Sequence, residues 1–243
     1  VLENYPILPL RNTILFPNQI IPIYIGRKQS LDLIQEVSKL DKKYVVVVAQ
    51  KDGAIENPME KDIYEYGTLA TVMKIFDMPD KSKSAIVQGL VRVKLQEITQ
   101  KKPYFVGLIS RLRDTNITNV EMDSYTKLLK KTFNSFVEVA SYLNDDQINA
   151  LENINSPSKI ADKAISLLNI KTNDKQDVLE TLDVVDKLAK VNDIINKEFQ
   201  RIELGEKIQS EVQDEISKSQ KEYYLREQLK AIQKELGEEG SGI

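Results

Sequence analysis

A chain of 243 residues with a net charge of −3 carries neither Cys nor His. The missing Cys exclude a disulfide framework, a thiolate metal site and a cysteine nucleophile. The missing His remove the usual general base, so Ser-His-Asp catalysis and nearly all zinc chemistry are excluded as well.

Residues 1–113 read as β-rich. Ile7-Leu8-Pro9-Leu10 and Ile20-Ile21-Pro22-Ile23-Tyr24-Ile25 are short apolar runs punctuated by proline. Because proline cannot donate to a ladder, both runs are expected at a sheet edge or at a bulge. Leu31, Ile34 and Val37 recur at spacing three and predict one inserted helix, followed by a β-branched strand over Tyr44 to Gln50. Gly67 to Phe76 and Ser84 to Ile98 predict two longer strands joined through Met78-Pro79-Asp80-Lys81. In the second, the parity of Val87, Val91, Val93 and Leu95 is the more apolar and is expected to face inward, leaving Arg92 outward. A last strand covers Tyr104 to Leu112. Many short strands, many prolines and one helix suggest a small, partly open barrel rather than a parallel α/β sheet.

Beyond Thr118 the period becomes helical. Leu128, Leu129, Phe133, Phe136, Val137, Ala140 and Leu143 form a stripe, and Asn144-Asp145-Asp146 reads as a turn and cap. Ser156-Pro157 places proline just inside a helix start, and Thr172-Asn173-Asp174 caps a further short helix ending near Leu182. Residues 118–182 are thus a compact helical bundle. Residues 183–243 contain no proline and no convincing stop, predicting one helix that runs to about Leu236, roughly 75–80 Å long. Its early anchors are Leu188, Val191, Ile195, Phe199 and Ile202. Further on the helix is polar on most faces, until Leu225, Leu229, Ile232 and Leu236 restore a coiled-coil-like 4-3-4 spacing.

Three blocks of this sequence together resemble Lon proteases. The first is Pro6-Ile7-Leu8-Pro9-Leu10-Arg11-Asn12-Thr13-Ile14-Leu15-Phe16-Pro17, followed by Ile21-Pro22-Ile23-Tyr24-Ile25-Gly26-Arg27. The second is Val48-Ala49-Gln50-Lys51, then Gly67-Thr68-Leu69-Ala70, Met78-Pro79-Asp80 and Gln88-Gly89-Leu90-Val91-Arg92. The third runs from Gln220 through Tyr223-Tyr224-Leu225-Arg226 to Leu236-Gly237. The first two resemble the LON substrate-binding domain; in the family the third belongs to the helix leading into the ATPase. The resemblance implies an α+β fold: a PUA-like β-rich pseudo-barrel with one inserted helix over 1–113, a small helical bundle over 118–182, and a long helix over 183–243. One departure is the turn after Pro79-Asp80, where family members often have glycine and this chain has Lys81-Ser82-Lys83-Ser84.

The family is one of ATP-dependent Ser-Lys endopeptidases working as homohexameric AAA+ rings on unfolded, damaged or regulatory proteins. The resemblance therefore implies a non-catalytic region for substrate recognition and assembly, with unfolded proteins and further copies of itself as partners. ATP and Mg are implied for the parent enzyme alone, since no phosphate-loop motif occurs in these residues. A free-standing LON-domain adaptor that binds a peptide or ligand is the alternative. DNA is a further candidate partner, with weak electrostatic support from so small a net charge and no long Lys or Arg run. No apolar run approaches the roughly 20 residues of a membrane span. Val1-Leu2-Glu3-Asn4 lacks the pattern of a signal peptide. The absent Cys fit a reducing compartment, so the cytoplasm is the expected location.

Two sets of residues are candidate sites. Leu10, Ile14, Leu15, Phe16 and Pro17, with Met78 and Pro79 at a predicted loop tip, are read either as an exposed apolar patch that grips unfolded chain or as a cap on the barrel core. Tyr223, Tyr224, Leu225, Leu229 and Ile232 are read as a seam between subunits or as a contact with an ATPase. No catalytic residue and no metal ligand is expected.

Overall fold

The computed structural model describes residues 1–115 and 120–239. Residues 116–119 and 240–243, which hold the start of the second expected region and the end of the third, lie outside the described residues. Contacts divide the chain into two units, Val1–Asn196 and a second that begins at Lys197.

The first unit is built on six strands and the helices that cover them. The strands are β1 (Leu2–Leu10), β2 (Ile20–Ile25), β3 (Tyr44–Gln50), β4 (Ile63–Asp77), β5 (Lys83–Gln100) and β6 (Val106–Arg111), in the order β2-β5-β4-β3-β1-β6. A further β5–β6 pairing closes β1, β3, β4, β5 and β6 into a ring, and β2 lies outside it. The closure is possible because β5 changes neighbour along one edge: Lys83 to Gln88 pair with β2, and Val93 to Gln100 pair with β6.

Cores form on both faces of β3. Val46 and Val48 point into the ring with Ile7, Leu69, Val93 and Ile109. Val45 and Val47 point the other way and pack with Leu8, Leu10, Ile23 and Ala85. That second core is covered by α1 (Lys28–Ser38) through Leu33, Ile34 and Val37. Burial on both faces is why the run from Val45 to Ala49 is apolar without alternation.

Two strand expectations need correction. β1 is not an edge strand, because it lies between β3 and β6. Its prolines are tolerated because the strand hands over partners: Leu2 to Pro6 pair with β6, and Ile7 to Leu10 pair with β3. Each half is laddered on one edge, so a missing donor can face the unpaired one. Arg92 does not face solvent either. It is buried, although it lies on the face of β5 opposite Val93 and Leu95, which fill the ring: the helices cover that outer face, through Asp162 and the Leu179 carbonyl. β2 does pair with β5 alone, as its proline requires.

The helices of this unit are α2 (Val120–Val137), α3 (Asp145–Ile148), α4 (Pro157–Ser166), α5 (Thr172–Glu180) and the start of α6 (Val184–Glu239). Asn144 and Gln147 close a reciprocal capping box on α3, and Pro157 opens α4 where its lacking N–H costs nothing. Phe133 and Phe136 of α2, Ile160 and Ala164 of α4, and Val184, Leu188, Val191 and Ile195 of α6 are buried. The second unit is the continuation of α6. From Leu204 to Gly237 every residue is exposed. Among the described residues no helix is long and apolar enough to cross a membrane.

Candidate functional site

The end of the sheet formed by β2, β5 and β4 turns one face to the core and the other to solvent. Residues opposite one another on neighbouring strands share a face, so the register defines the outer surface. Tyr24, Ser84 and Phe76 form one row; Pro22, Ile86 and Lys74 form the next; Ile20, Gln88 and Thr71 form a third. Met73 is an extra residue between the pairs Val72–Val87 and Lys74–Ile86, and this bulge leaves it 55% exposed. Ile20, Tyr24, Phe76 and Met78 are also exposed, so apolar side chains, with Lys74, Ser84, Gln88 and Thr71 among them, run to the tip of the β4–β5 hairpin. The Lys74 ammonium lies 4.8 Å from the Phe76 ring centre, close enough for a cation–π contact.

The hairpin tip is a tight turn. Met78 N–H donates to the Ser82 carbonyl at 2.9 Å, and Lys81 N–H donates to the Met78 carbonyl at 3.1 Å. Lys81 takes a φ of 69°, the left-handed conformation that glycine adopts most easily. The Asp80 carboxylate accepts from the Ser82 hydroxyl and from its N–H, and these bonds hold its pKa below the usual carboxylate range. The turn fixes Met78 and Pro79 outward, both exposed.

The other expected contact residues are placed differently. Leu10, Ile14, Leu15 and Phe16 are buried, and Pro17 is half-buried. The segment is pinned at several points. The Thr68 hydroxyl donates to the Leu15 carbonyl at 2.6 Å, and Phe16 N–H donates to the Gln19 side chain at 3.0 Å. Asn18 N–H donates to the Gly89 carbonyl at 2.8 Å, and Gly89 N–H donates to the Gln19 carbonyl at 2.9 Å. These four side chains therefore form no exposed patch in this structure. Two left-handed residues, Asn12 and Asn18, let the loop turn back over the barrel.

Beneath Phe16 lies a charge cluster that the sequence reading missed. The Arg92 guanidinium, 6.0 Å from the Phe16 ring centre, forms a two-pronged pair with Asp162 of α4 and donates through Nε to the Leu179 carbonyl at 2.9 Å. Lys187 of α6, fully buried, lies 3.3 Å from Asp162 and 3.4 Å from Asp114. Ser158 bonds to both Lys187 and Asp114. Burial pushes the Lys187 ammonium below its ordinary pKa, and the Asp162 charge opposes the shift. The groups are mutually satisfied and enclosed, which suits a joint between barrel and bundle rather than a reacting centre. A chain-local signal was available: Asp162 stands on the apolar face of α4, between Ile160, Ala161 and Ala164.

In the second unit Tyr223, Tyr224, Leu225, Leu229 and Ile232 are all exposed. Among the described residues no group of carboxylates could hold a metal ion.

Comparison with known proteins fits this architecture. The ATP-dependent protease La (LON) substrate-binding domain matches residues 4–197. The Lon protease of Koribacter versatilis is 39% identical over 239 residues, which is 98% of this chain and 29% of that protein. That of Dictyoglomus thermophilum is 35% identical over 236 residues, 97% of this chain and 30% of the relative. The chain thus spans about three tenths of the length of these curated relatives. In fold it is similar to the N-terminal domain of a Mycobacterium avium complex Lon protease, with a TM-score of 0.67 at 17% identity over 80% of this chain and 98% of that one. It is also similar to a Lon N-terminal domain protein from Xanthomonas campestris, with a TM-score of 0.54 at 14% identity over 78% and 96%. A six-stranded sheet with one inserted helix, a helical bundle and a long last helix, matched over 4–197, make this chain a member of the LON substrate-binding domain family.

Proposed function

We propose that this chain is the client-recognition and assembly region of an ATP-dependent Ser-Lys endopeptidase, and that the outer face of β2, β5 and β4 with the hairpin tip binds apolar segments of unfolded proteins. The observation that carries the reading is the exposure of Ile20, Tyr24, Met73, Phe76 and Met78 on this face and its hairpin tip, beside a well-packed core. Single exposed apolar residues are ordinary, but a contiguous group on one sheet face marks a contact surface. Methionine, unbranched and polarizable, accommodates partners of varied shape. Of the seven residues first considered, Met78 and Pro79 serve as direct contacts, while Leu10, Ile14, Leu15, Phe16 and Pro17 support the surface from beneath.

The reading retains three regions, 1–113, 118–182 and 183–243, and assigns the peptidase, the motor, its ATP and its Mg to other parts of a longer protein. The relatives named Lon protease support this, and so does the lack of a phosphate-loop motif here. Tyr223, Tyr224, Leu225, Leu229 and Ile232 are assigned to assembly.

The test is a binding titration of the chain against a permanently unfolded reporter protein. Replacing Tyr24 and Met78 together by Ser is expected to weaken binding about tenfold, the effect of losing roughly 1.4 kcal/mol. Stability should change by no more than about 0.5 kcal/mol, as for other surface positions. Unchanged affinity in a folded double variant would remove this face from the proposal.

A further inference from the structure

Next to that apolar face, where the end of β1 approaches β2 and the start of α1, lies a cleft of about 370 Å³. Apolar residues of β1 and β2 line it together with Thr13 and Ser30, and it shares Pro22 and Tyr24 with the outer sheet face described above. Its charged lining is Arg11 and Arg27, and no carboxylate lines it.

Arg27 is unusually placed. It is half-buried, yet the partners that hold it are neutral: Nη1 donates to the Gln50 side chain at 2.5 Å and to the Glu56 carbonyl at 3.4 Å, and Nη2 donates to the Pro9 carbonyl at 2.7 Å. These bonds fix the guanidinium in position without cancelling its charge. Burial first, and the charge of Arg11 second, push the Arg27 guanidinium below its ordinary pKa, as expected for a cation lacking a counter-ion. The N-terminus of α1 adds to the same field, because its first turn contains no acidic residue and no side chain caps it. The contrast with Arg92, also buried but paired to Asp162, is direct. A half-buried guanidinium costs less when an anion joins it, and a fixed planar fork suits a carboxylate well.

The geometry points to a carboxylate-binding subsite formed by Arg11 and Arg27, which takes the terminal carboxylate of an apolar peptide whose preceding side chains lie across Tyr24 and the outer face of β2. This inference rests on the client-binding reading and adds a preference to it: apolar segments that end in a free carboxylate are held more tightly than the same segments internal to a chain.

The experiment uses the whole chain and one short fluorescent apolar peptide in two forms, free acid and C-terminal amide, followed by anisotropy. The amide is expected to bind about tenfold more weakly, the loss of one charge-assisted contact. Arg11→Gln, an exposed position, should abolish the difference by weakening the acid while leaving the amide unchanged. Because the acid–amide comparison is made on the unaltered protein, it does not depend on any variant folding. Equal affinity of the two forms, or an undiminished difference in Arg11→Gln, overturns the subsite and leaves the client surface standing. Binding of neither form overturns both.

Discussion

Asp162 faces two cations at once, with Arg92 Nη1 at 2.7 Å from one oxygen and Lys187 Nζ at 3.3 Å from the other. Both cations are buried, so the carboxylate balances charge that cannot reach water. Replacing one partner of such a cluster is far costlier than the net worth of the pair, since the remaining ions are left uncompensated. Asp162→Asn is therefore expected to destabilise the chain by about 3–5 kcal/mol in urea unfolding; a loss near that of an exposed ion pair, below about 1 kcal/mol, would show that water reaches the cluster. Residue identities carried part of this information. Asp162 breaks the apolar stripe of α4 between Ile160 and Ala164, a local sign of a buried carboxylate. The partner was hidden, because alternation along β5 puts Arg92 on the face away from the ring, and nothing in the strand itself, Gly89 included, signals that the helices cover that face.

The elements show how that glycine acts. A Cβ on Gly89 would lie 2.3 Å from the Phe16 carbonyl oxygen, a backbone atom that cannot swing aside. The loop carrying Ile14, Leu15 and Phe16 sits tightly on β5 because nothing projects there. Gly89→Ala is expected to cost about 1–3 kcal/mol, as overpacking does, and to raise exchange of the Asn18 amide, whose acceptor is the Gly89 carbonyl. Thermal unfolding checks the first and hydrogen exchange the second; an unaltered midpoint would mean that the loop can shift freely. Strand and helix positions were largely legible from period and punctuation: α1 from Leu31, Ile34 and Val37, the start of α4 from Ser156-Pro157, and α6 from an unbroken polar stretch. The pairing was less legible. Pro6 and Pro9 argue for an edge, yet β1 runs between two neighbours because the handover at Pro6 and Ile7 depends on where β3 and β6 end. The outer face of β2 was written in the alternation of Ile20, Pro22 and Tyr24, but its apolar character only became a surface once the register set it beside Ile86, Phe76 and Met73.

At the scale of the whole molecule, Leu225, Leu229, Ile232 and Leu236 at 4-3-4 spacing on an exposed helix can be satisfied by another helix of the same kind. Under the assembly proposal, sedimentation of the chain is expected to show concentration-dependent association, and Leu229→Glu with Ile232→Glu should return it to monomer without loss of helical signal. An identical mass distribution for both proteins would assign the seam to a different partner. The cluster around Asp162 ties the barrel to the helices by a shared account of charge: Arg92 comes from β5, Asp114 from the segment after β6, Asp162 from α4 and Lys187 from α6. Anyone transplanting the barrel alone, as residues 1–113, into another scaffold would carry a guanidinium stripped of its acid. The graft would need a borrowed carboxylate, or an uncharged residue at 92, before it could stand.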